Sequence, residues 1–148
     1  MRVLDLDALL GEQFPRASFH DSHLESITID LVGGVARLGF AIPTDWDDPD
    51  YPMPHGILEF RNLHAFAVET PGAKDKGPPR GLEISDDGPL PNPRVETELK
   101  MPTGLPDEAF CHYFFARNTN SFLLFAADVA VFTWSRDIPI VEGDRQDI

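Results

Sequence analysis

The chain has 148 residues, 42% of them hydrophobic and 25% charged, and its formal net charge is −13. This composition is typical of a globular chain, and we predict a single domain over residues 1–148. The excess of carboxylates argues against binding to nucleic acid or to a membrane surface. Two interpretations of the charge stay open: it only maintains solubility, or it attracts a basic protein partner. The lone Cys111 excludes an internal disulfide and is expected to be a buried, unreactive thiol.

The N-terminal segment MRVLDLDALLGEQF predicts one short helix. Leu6, Leu9 and Leu10 lie at helical spacing in it, and Pro15 ends the pattern. Acidic residues interrupt the apolar patch, which argues against a secretory signal. No stretch of the chain reaches the ~20 apolar residues that span a bilayer. We therefore expect the protein in the cytoplasm.

An alternation of polar and apolar residues predicts a β-hairpin over residues 26–42. The two glycines in its middle, Gly33 and Gly34, predict a two-residue turn. This turn defines a register in which apolar residues face each other on one side and opposite charges on the other. The pairs in this register are Ile29 with Leu38 on the core face and Asp30 with Arg37 on the solvent face.

Further apolar or alternating runs predict the remaining strands. These are ILEFR from Ile57, HAFAVE from His64, LEIS from Leu82, VETELK from Val95, CHYFFAR from Cys111, SFLLFAA from Ser121 and VAVFTW from Val129. Six prolines and four glycines within residues 71–93 predict a surface loop with at most one short strand. About eight short strands and one helix indicate a mainly β fold, α+β at most, built as an antiparallel sandwich or an open barrel.

A cluster of polar side chains occurs where the first strand begins, in FHDSHLESITIDL; its members are His20, Asp21, His23 and Glu25. Ligands on one face of a strand lie an even number of residues apart, so His20 and His23 point to opposite faces and a simple chelate fails. A carboxylate and imidazole set of Asp21, His23 and Glu25 requires a bend before the strand. The structural interpretation is that Asp21 or His20 satisfies backbone groups as the chain joins the sheet. In that interpretation, His23 and Glu25 lie at the solvent end of the core face.

The acidic loop, which comprises residues 45–50 (DWDDPD), is followed by Tyr51. It does not fit an EF-hand, because Asp50 stands where that pattern has glycine and Gly56 stands where it has a bidentate glutamate. A solvated loop is therefore favoured over a calcium site. Aromatic residues among carboxylates favour recognition of a basic surface, and packing of the rings against the sheet is an equal alternative. The predicted partner-binding residues are Asp45, Trp46, Asp47, Asp48, Asp50 and Tyr51.

The sequence contains no motif that is specific for an enzyme. HExxH, GxSxG, a P-loop, GxGxxG and a cysteine pair are all missing from it. His55, His64 and His112 are spread over different predicted strands, as core or edge histidines usually are. We therefore expect neither a metal nor another cofactor.

Several segments resemble immunity protein family 50 of bacterial polymorphic toxin systems. They are FHDSHLESITIDL, the return strand GGVARLGFAI, the later LEFRNLHAFAVE and the apolar C-terminal strands. The His-Asp pair that precedes a strand in that family corresponds to His20 and Asp21. The resemblance implies a non-enzymatic protein that binds and blocks a toxin domain. The acidic loop and the stretch over residues 71–93 depart from the family pattern.

The sequence thus predicts a protein that binds another protein stoichiometrically, with toxin neutralisation as the specific function. The alternative is a small β-fold, metal-dependent enzyme that uses His20, Asp21, His23 and Glu25. A structural domain without a partner is a third interpretation. The sequence does not specify the oligomeric state.

Overall fold

A computed structural model describes residues 1–48, 50, 52–70 and 81–135. The elements in this part of the chain are α1 (Asp7–Gly11), β1 (His23–Asp30), β2 (Val35–Ala41), β3 (His55–Arg61), β4 (Ala65–Val68), β5 (Leu82–Leu90), β6 (Phe110–Ala116), β7 (Ser121–Ala127) and β8 (Val129–Trp134). The prediction of a mainly β fold with one short N-terminal helix is confirmed. Tyr51, for which a binding role was predicted, and residues 71–80 of the predicted loop lie outside the described residues. In the described part of that predicted loop, β5 runs over nine residues and continues past the short LEIS strand that the sequence predicts, so the loop prediction is wrong there.

All eight strands belong to one antiparallel sheet in the order β4-β7-β6-β5-β1-β2-β3-β8. The sheet folds at β5, which pairs along most of its length with β6 but meets β1 only beside Leu24 and His23. The two halves pack through aromatic side chains, with Phe40 and Phe114 5.7 Å apart and stacked rings of Phe60 and a β7 phenylalanine 5.2 Å apart. The result is a sandwich-like arrangement that stays open, because β4 and β8 are its edges.

The helix is shorter than the apolar spacing predicts, and it is fixed to the chain that precedes β1. Leu6 and Leu10 are buried in the core. The Asp7 carboxylate accepts hydrogen bonds from the Ser18 hydroxyl at 2.9 Å and from the Phe19 backbone N–H at 3.0 Å. These bonds hold α1 next to the segment that leads into the sheet. No helix among the described residues is long and apolar enough to cross a membrane.

The β1–β2 hairpin forms, but its predicted register is wrong. Asp30 lies opposite Val35, so the loop has four residues, 31–34, and not two. The Asp30 carboxylate accepts hydrogen bonds from the N–H groups of Val32 (3.1 Å) and Gly33 (2.8 Å), and this local turn closes the loop earlier along β1. Because the partners move by two residues, every side chain keeps its face. The observed pairs are Ile29 with Ala36, Thr28 with Arg37 and Ile27 with Leu38.

A β-bulge in β1 overturns the predicted positions of His23 and Glu25. The register shifts between Leu24 and Ser26, so Glu25 is the extra residue. The bulge reverses the alternation: Leu24 is buried in the core at 3% exposure, and Glu25 is exposed. His23 and Glu25 therefore do not continue the core face that Ile27 carries farther along the strand.

The predicted strand VETELK from Val95 is also wrong, because residues 93–98 form turns. The Leu99 N–H donates to the Val95 carbonyl at 3.0 Å. Val95 and Leu99 are both buried, and a spacing of four is that of a helical turn, whereas a strand would bury every second residue. These two side chains cover the outer face of β6 and β7 in a second apolar cluster, which includes Cys111.

Cys111 is a buried thiol without a disulfide, as predicted. Burial raises the pKa of its thiol to about 12, and the carboxylate of Glu96 acts in the same direction. At neutral pH the group is therefore protonated, and the thiolate that would act as a nucleophile or a metal ligand is not formed.

On the outer face of β2 and β3, Glu59 lies between two arginines. Its carboxylate accepts hydrogen bonds from Arg61 Nε at 2.5 Å and from Arg37 Nε at 2.9 Å. The bond from Arg61 is the main reason that the pKa of Glu59 is lowered, and Arg37 adds to it. A carboxylate with a lowered pKa stabilises the fold above its unfolded pKa, near 4.5, and loses this contribution as the pH falls through its folded pKa.

We therefore expect Glu59→Gln to lower the free energy of unfolding by about 0.5–1 kcal/mol at pH 7, since the arginines are half-exposed. The difference from the wild type should shrink as the pH falls below about 4. Urea unfolding at several pH values measures it. Glu98→Gln is the matched control, because Glu98 is exposed and has no ion pair within the described residues. An equal loss in both variants at pH 7 would contradict a role for the arginines.

Candidate protein-binding surface

Most of the residues that the sequence singles out lie at one end of the sheet. His23, Ala41 and His55 are neighbours in one row across β1, β2 and β3. The loop between β2 and β3, which contains the acidic loop, leaves the sheet at this row. Strand β8 ends here as well, with Trp134 opposite Gly56. We call this region, formed by residues 20–25, the acidic loop, His55 and Trp134, the acidic end.

The His20-Asp21 pair lies in a turn where the chain joins β5. Asp21 has a φ of +65°, and its N–H donates to the Ile84 carbonyl at 2.7 Å. The Ile84 N–H in turn donates to the Ser22 carbonyl at 2.9 Å, and the buried Ser22 hydroxyl donates to the Phe19 carbonyl at 2.6 Å. Backbone groups and Ser22 make this junction, so the predicted role of the His20 and Asp21 side chains there is wrong.

The side chains of His20 and Asp21 point instead toward solvent. Each is about half exposed, and His20 Nε2 lies 3.7 Å from the Asp21 carboxylate, which is too far for a hydrogen bond. Glu25, at the bulge, approaches His55 across Ala41, with 3.3 Å between its carboxylate and His55 Nδ1. The structure therefore breaks up the predicted cluster: His20 lies near Asp21, Glu25 lies near His55 from outside the cluster, and His23 belongs to neither pair.

Within the described residues, no three side chains of His, Cys, Asp or Glu are arranged to hold a metal ion. We expect the purified protein to carry well under one equivalent of zinc, iron or manganese and to fold without added metal. Elemental analysis, together with thermal unfolding in the presence and absence of EDTA, measures both properties. About one equivalent of metal that is lost in His20→Ala or His23→Ala would support the enzyme alternative instead.

The acidic loop is held by hydrogen bonds to Arg16 and within itself. Trp46 Nε1 donates to the Arg16 carbonyl at 2.7 Å, and the Arg16 guanidinium pairs with the Asp47 carboxylate at 2.7 Å. The carboxylate of Asp45 accepts the Asp47 N–H at 3.1 Å, and that of Asp48 accepts the N–H two residues later at 3.0 Å. These bonds give residues 45–48 a defined shape beside Arg16.

The exposed groups of this loop are an indole ring and carboxylates. Trp46 is 41% exposed although its N–H is bonded, so the ring is anchored at one edge and available at the other. The hydrogen bond from Arg16 lowers the pKa of Asp47. Among the described residues, Asp48 and Asp50 form no ion pair, so their charges remain uncompensated at the surface. Such an arrangement attracts a cationic surface and offers it an aromatic contact.

Two contributors to this surface have no signal in the sequence. Arg16 lies 31 residues from its partner Asp47, and no pattern around it indicates an ion pair. Phe14 packs its ring edge-on against Trp134, with 4.8 Å between the ring centroids. The segment that connects α1 to β1 therefore joins the acidic loop to the end of β8.

The remaining histidines make separate contacts elsewhere in the described structure. His64 Nε2 lies 2.7 Å from the Asp128 carboxylate. His112 is buried at 3% exposure on β6, and its Nε2 lies 2.9 Å from the Asp87 carboxylate. A cleft of about 210 Å³ borders this buried pair. The first pair links the start of β4 to the junction of β7 and β8, and the second links β5 to β6.

Comparison with protein-family models and with curated proteins gives no match. Among solved structures, the chain is similar to an uncharacterized protein from Neisseria gonorrhoeae. The two share 14% sequence identity over 78% of this chain and 93% of the other, with a TM-score of 0.49.

Proposed function

We propose that the protein binds a basic protein through its acidic end and that it acts as an immunity protein which neutralises a toxin. The observation that supports the proposal is the preformed acidic loop, in which Arg16 and local turns fix an exposed Trp46 beside uncompensated carboxylates. A surface that is already ordered loses little conformational entropy on binding. Fixed negative charges speed the encounter with a positive surface, and a buried indole slows dissociation.

The overall charge acts in the same direction. A formal charge of −13 on 148 residues attracts a cationic protein over about a Debye length, ~8 Å at physiological salt. The resemblance of His20, Asp21 and the strands around them to immunity protein family 50 supplies the more specific part of the proposal, which is that the partner is a toxin domain. Both parts require a stoichiometric complex in which the acidic end is covered.

The test begins with capture of partners by the full chain from a lysate of the native host, followed by binding kinetics with the purified partner. Changing Asp47, Asp48 and Asp50 to asparagine should lower the association rate about tenfold and weaken its dependence on salt. Trp46→Ala should mainly raise the dissociation rate, by about 30-fold, which corresponds to ~2 kcal/mol.

A matched control removes the same number of charges far from the loop in sequence, by Glu98→Gln, Asp107→Asn and Glu108→Gln, three exposed acidic residues. This control should change the association rate much less. If the partner is a toxin, an equimolar amount of the protein should abolish the toxin's activity. Recovery of no partner, or an association rate that ignores both salt and the loop substitutions, would overturn the proposal.

A further inference from the structure

Strand β8 forms an edge of the sheet, and its own residues lack the features that usually protect such an edge, although α1 packs beside part of the strand in the described structure. It pairs with β3 on one side, and no described strand pairs with its other side. Its six residues, VAVFTW, include no charge, proline or glycine, which are the features that commonly block the pairing of an edge with another chain. The opposite edge, β4, has only four residues, and a short edge is itself a form of protection.

One hydrogen bond identifies which backbone groups of β8 face the open edge. The Ser135 N–H donates to the His55 carbonyl on β3 at 2.8 Å. In an antiparallel ladder, alternate residues bond to the same neighbour, so Thr133 and Val131 also direct their backbone groups to β3. The residues between them direct their N–H and C=O groups to the open edge. These residues are Ala130, Phe132 and Trp134.

The side chains along this edge leave aromatic surface accessible. Phe132 and Trp134 point toward the core, and their ring centroids lie 4.7 Å apart, yet both are only partly buried. An additional strand beside β8 would place its own inward side chains against these rings. Apolar residues at alternate positions are the side chains that suit this environment.

The end of β8 lies beside the acidic loop. The Trp134 ring contacts the ring of Phe14. Arg16, two residues after Phe14 in the chain, bonds to both Trp46 and Asp47. A strand that extends along β8 would therefore reach the carboxylates of the acidic loop with one of its ends. Complementary charge requires lysine or arginine at that end.

We propose that β8 accepts an extended strand of the basic partner, which continues the sheet and places its cationic end on the acidic loop. This inference rests on the proposed function, because it names how the partner of the acidic end is recognised. Backbone hydrogen bonds supply affinity in this mode, and alternate side chains supply specificity. The occupant is a strand with alternating apolar residues and basic residues at its end.

The test uses a synthetic peptide of about ten residues that alternates threonine and valine and carries lysines at both ends. Hydrogen exchange of the full-length protein is followed by NMR with and without the peptide. Exchange at Ala130, Phe132 and Trp134 should slow about tenfold or more, whereas Val131 and Thr133 are already bonded to β3 and should change little. A peptide with N-methyl groups at alternate positions is the matched control, and it should protect none of these amides.

A variant provides an independent check. Ala130→Pro removes an N–H that faces the open edge without removing a bond to β3, and edge strands tolerate proline at such positions. It should weaken peptide binding at least tenfold, whereas Ala130→Ser, which retains the N–H, should bind as the wild type does. The hydrogen-exchange pattern does not depend on this variant and decides the matter if Ala130→Pro fails to fold.

Two results would overturn the strand addition. One is exchange that is already slow at Ala130, Phe132 and Trp134 in the free protein, since the edge would then be paired. The other is absence of alternating protection at saturating peptide. Substitutions in the acidic loop distinguish failure of strand addition from failure of the proposed function. If association of the partner depends on the acidic loop but the β8 amides stay unprotected, only strand addition is contradicted.

Discussion

Replacing Phe114 by alanine is expected to lower the free energy of unfolding by about 3–5 kcal/mol. Phe114 is fully buried on β6, where its ring contacts Phe40 from the other half of the sheet at 5.7 Å. It also contacts Phe19 at 5.9 Å and Phe125 at 6.4 Å. Removal of this ring leaves a cavity between the two halves, and the loss contains both the transfer free energy of the ring and the cost of the cavity. Urea unfolding followed by tryptophan fluorescence measures it.

Phe66→Ala is the control for this experiment. Phe66 lies on the edge strand β4 and is 41% exposed, so its truncation should cost about 1 kcal/mol or less. Both variants lose the same atoms and differ in burial. Equal losses would show that Phe114 does not occupy the close-packed centre that the ring contacts indicate.

Gly81→Ala is expected to lower the free energy of unfolding by about 3 kcal/mol or more. Gly81 has a φ of +95°, which costs a residue with a side chain about 1–2 kcal/mol. A Cβ atom at this position would lie 2.3 Å from the Leu24 carbonyl oxygen and 3.0 Å from the Glu25 Cα. Both are backbone atoms in the bulged part of β1, so the clash is relieved only by moving β1 away from β5. Differential scanning calorimetry should show a Tm that is lower by about 6–12 °C.

Gly104→Ala isolates the conformational part of this effect. Gly104 has a similar φ of +73°, but no heavy atom lies within 4 Å of a Cβ built there. Gly104→Ala should therefore lower the free energy of unfolding by only about 1 kcal/mol. A Gly81→Ala protein as stable as Gly104→Ala would mean that β1 and β5 separate easily at the fold of the sheet.

The functional predictions depend on the same tertiary arrangement. Gly81→Ala displaces the start of β1, which belongs to the acidic end, whereas Phe114 lies in the interior between the halves. A folded Phe114→Ala protein should keep the partner-binding kinetics of the wild type. Gly81→Ala is expected to change these kinetics more than Phe114→Ala does, because it displaces the start of β1.

The sequence by itself determined where most strands run and, in the first hairpin beyond the bulge, which side chains face the core. The alternation over residues 26–42 identified both strands of the first hairpin, and the apolar runs from Ile57, Ser121 and Val129 correspond to β3, β7 and β8. Alternation is a local property with a period of two residues, so it survives a register shift of two without any change of face. This is why the faces were predicted over residues 26–42, although the partners of Ile29 and Asp30 were not.

Local hydrogen bonding decided the details that alternation does not encode. The Asp30 carboxylate bonds to the N–H groups of its own turn and makes a four-residue loop, although Gly33 and Gly34 suit a two-residue turn. The bulge at Glu25 moves Leu24 into the core and Glu25 to the surface. One added residue has this effect because every later side chain changes face.

Only the tertiary structure decided what surrounds the candidate surface. Arg16, Trp46 and Trp134 come from three distant parts of the chain, and the folding of the sheet brings them to one end. Their proximity depends on which strand faces can be buried together, and that is a property of the whole sheet and not of any local pattern. The sequence therefore identified the acidic loop as a charged segment, while its anchoring by Arg16 and its position beside the open edge of β8 required the packing of the two halves.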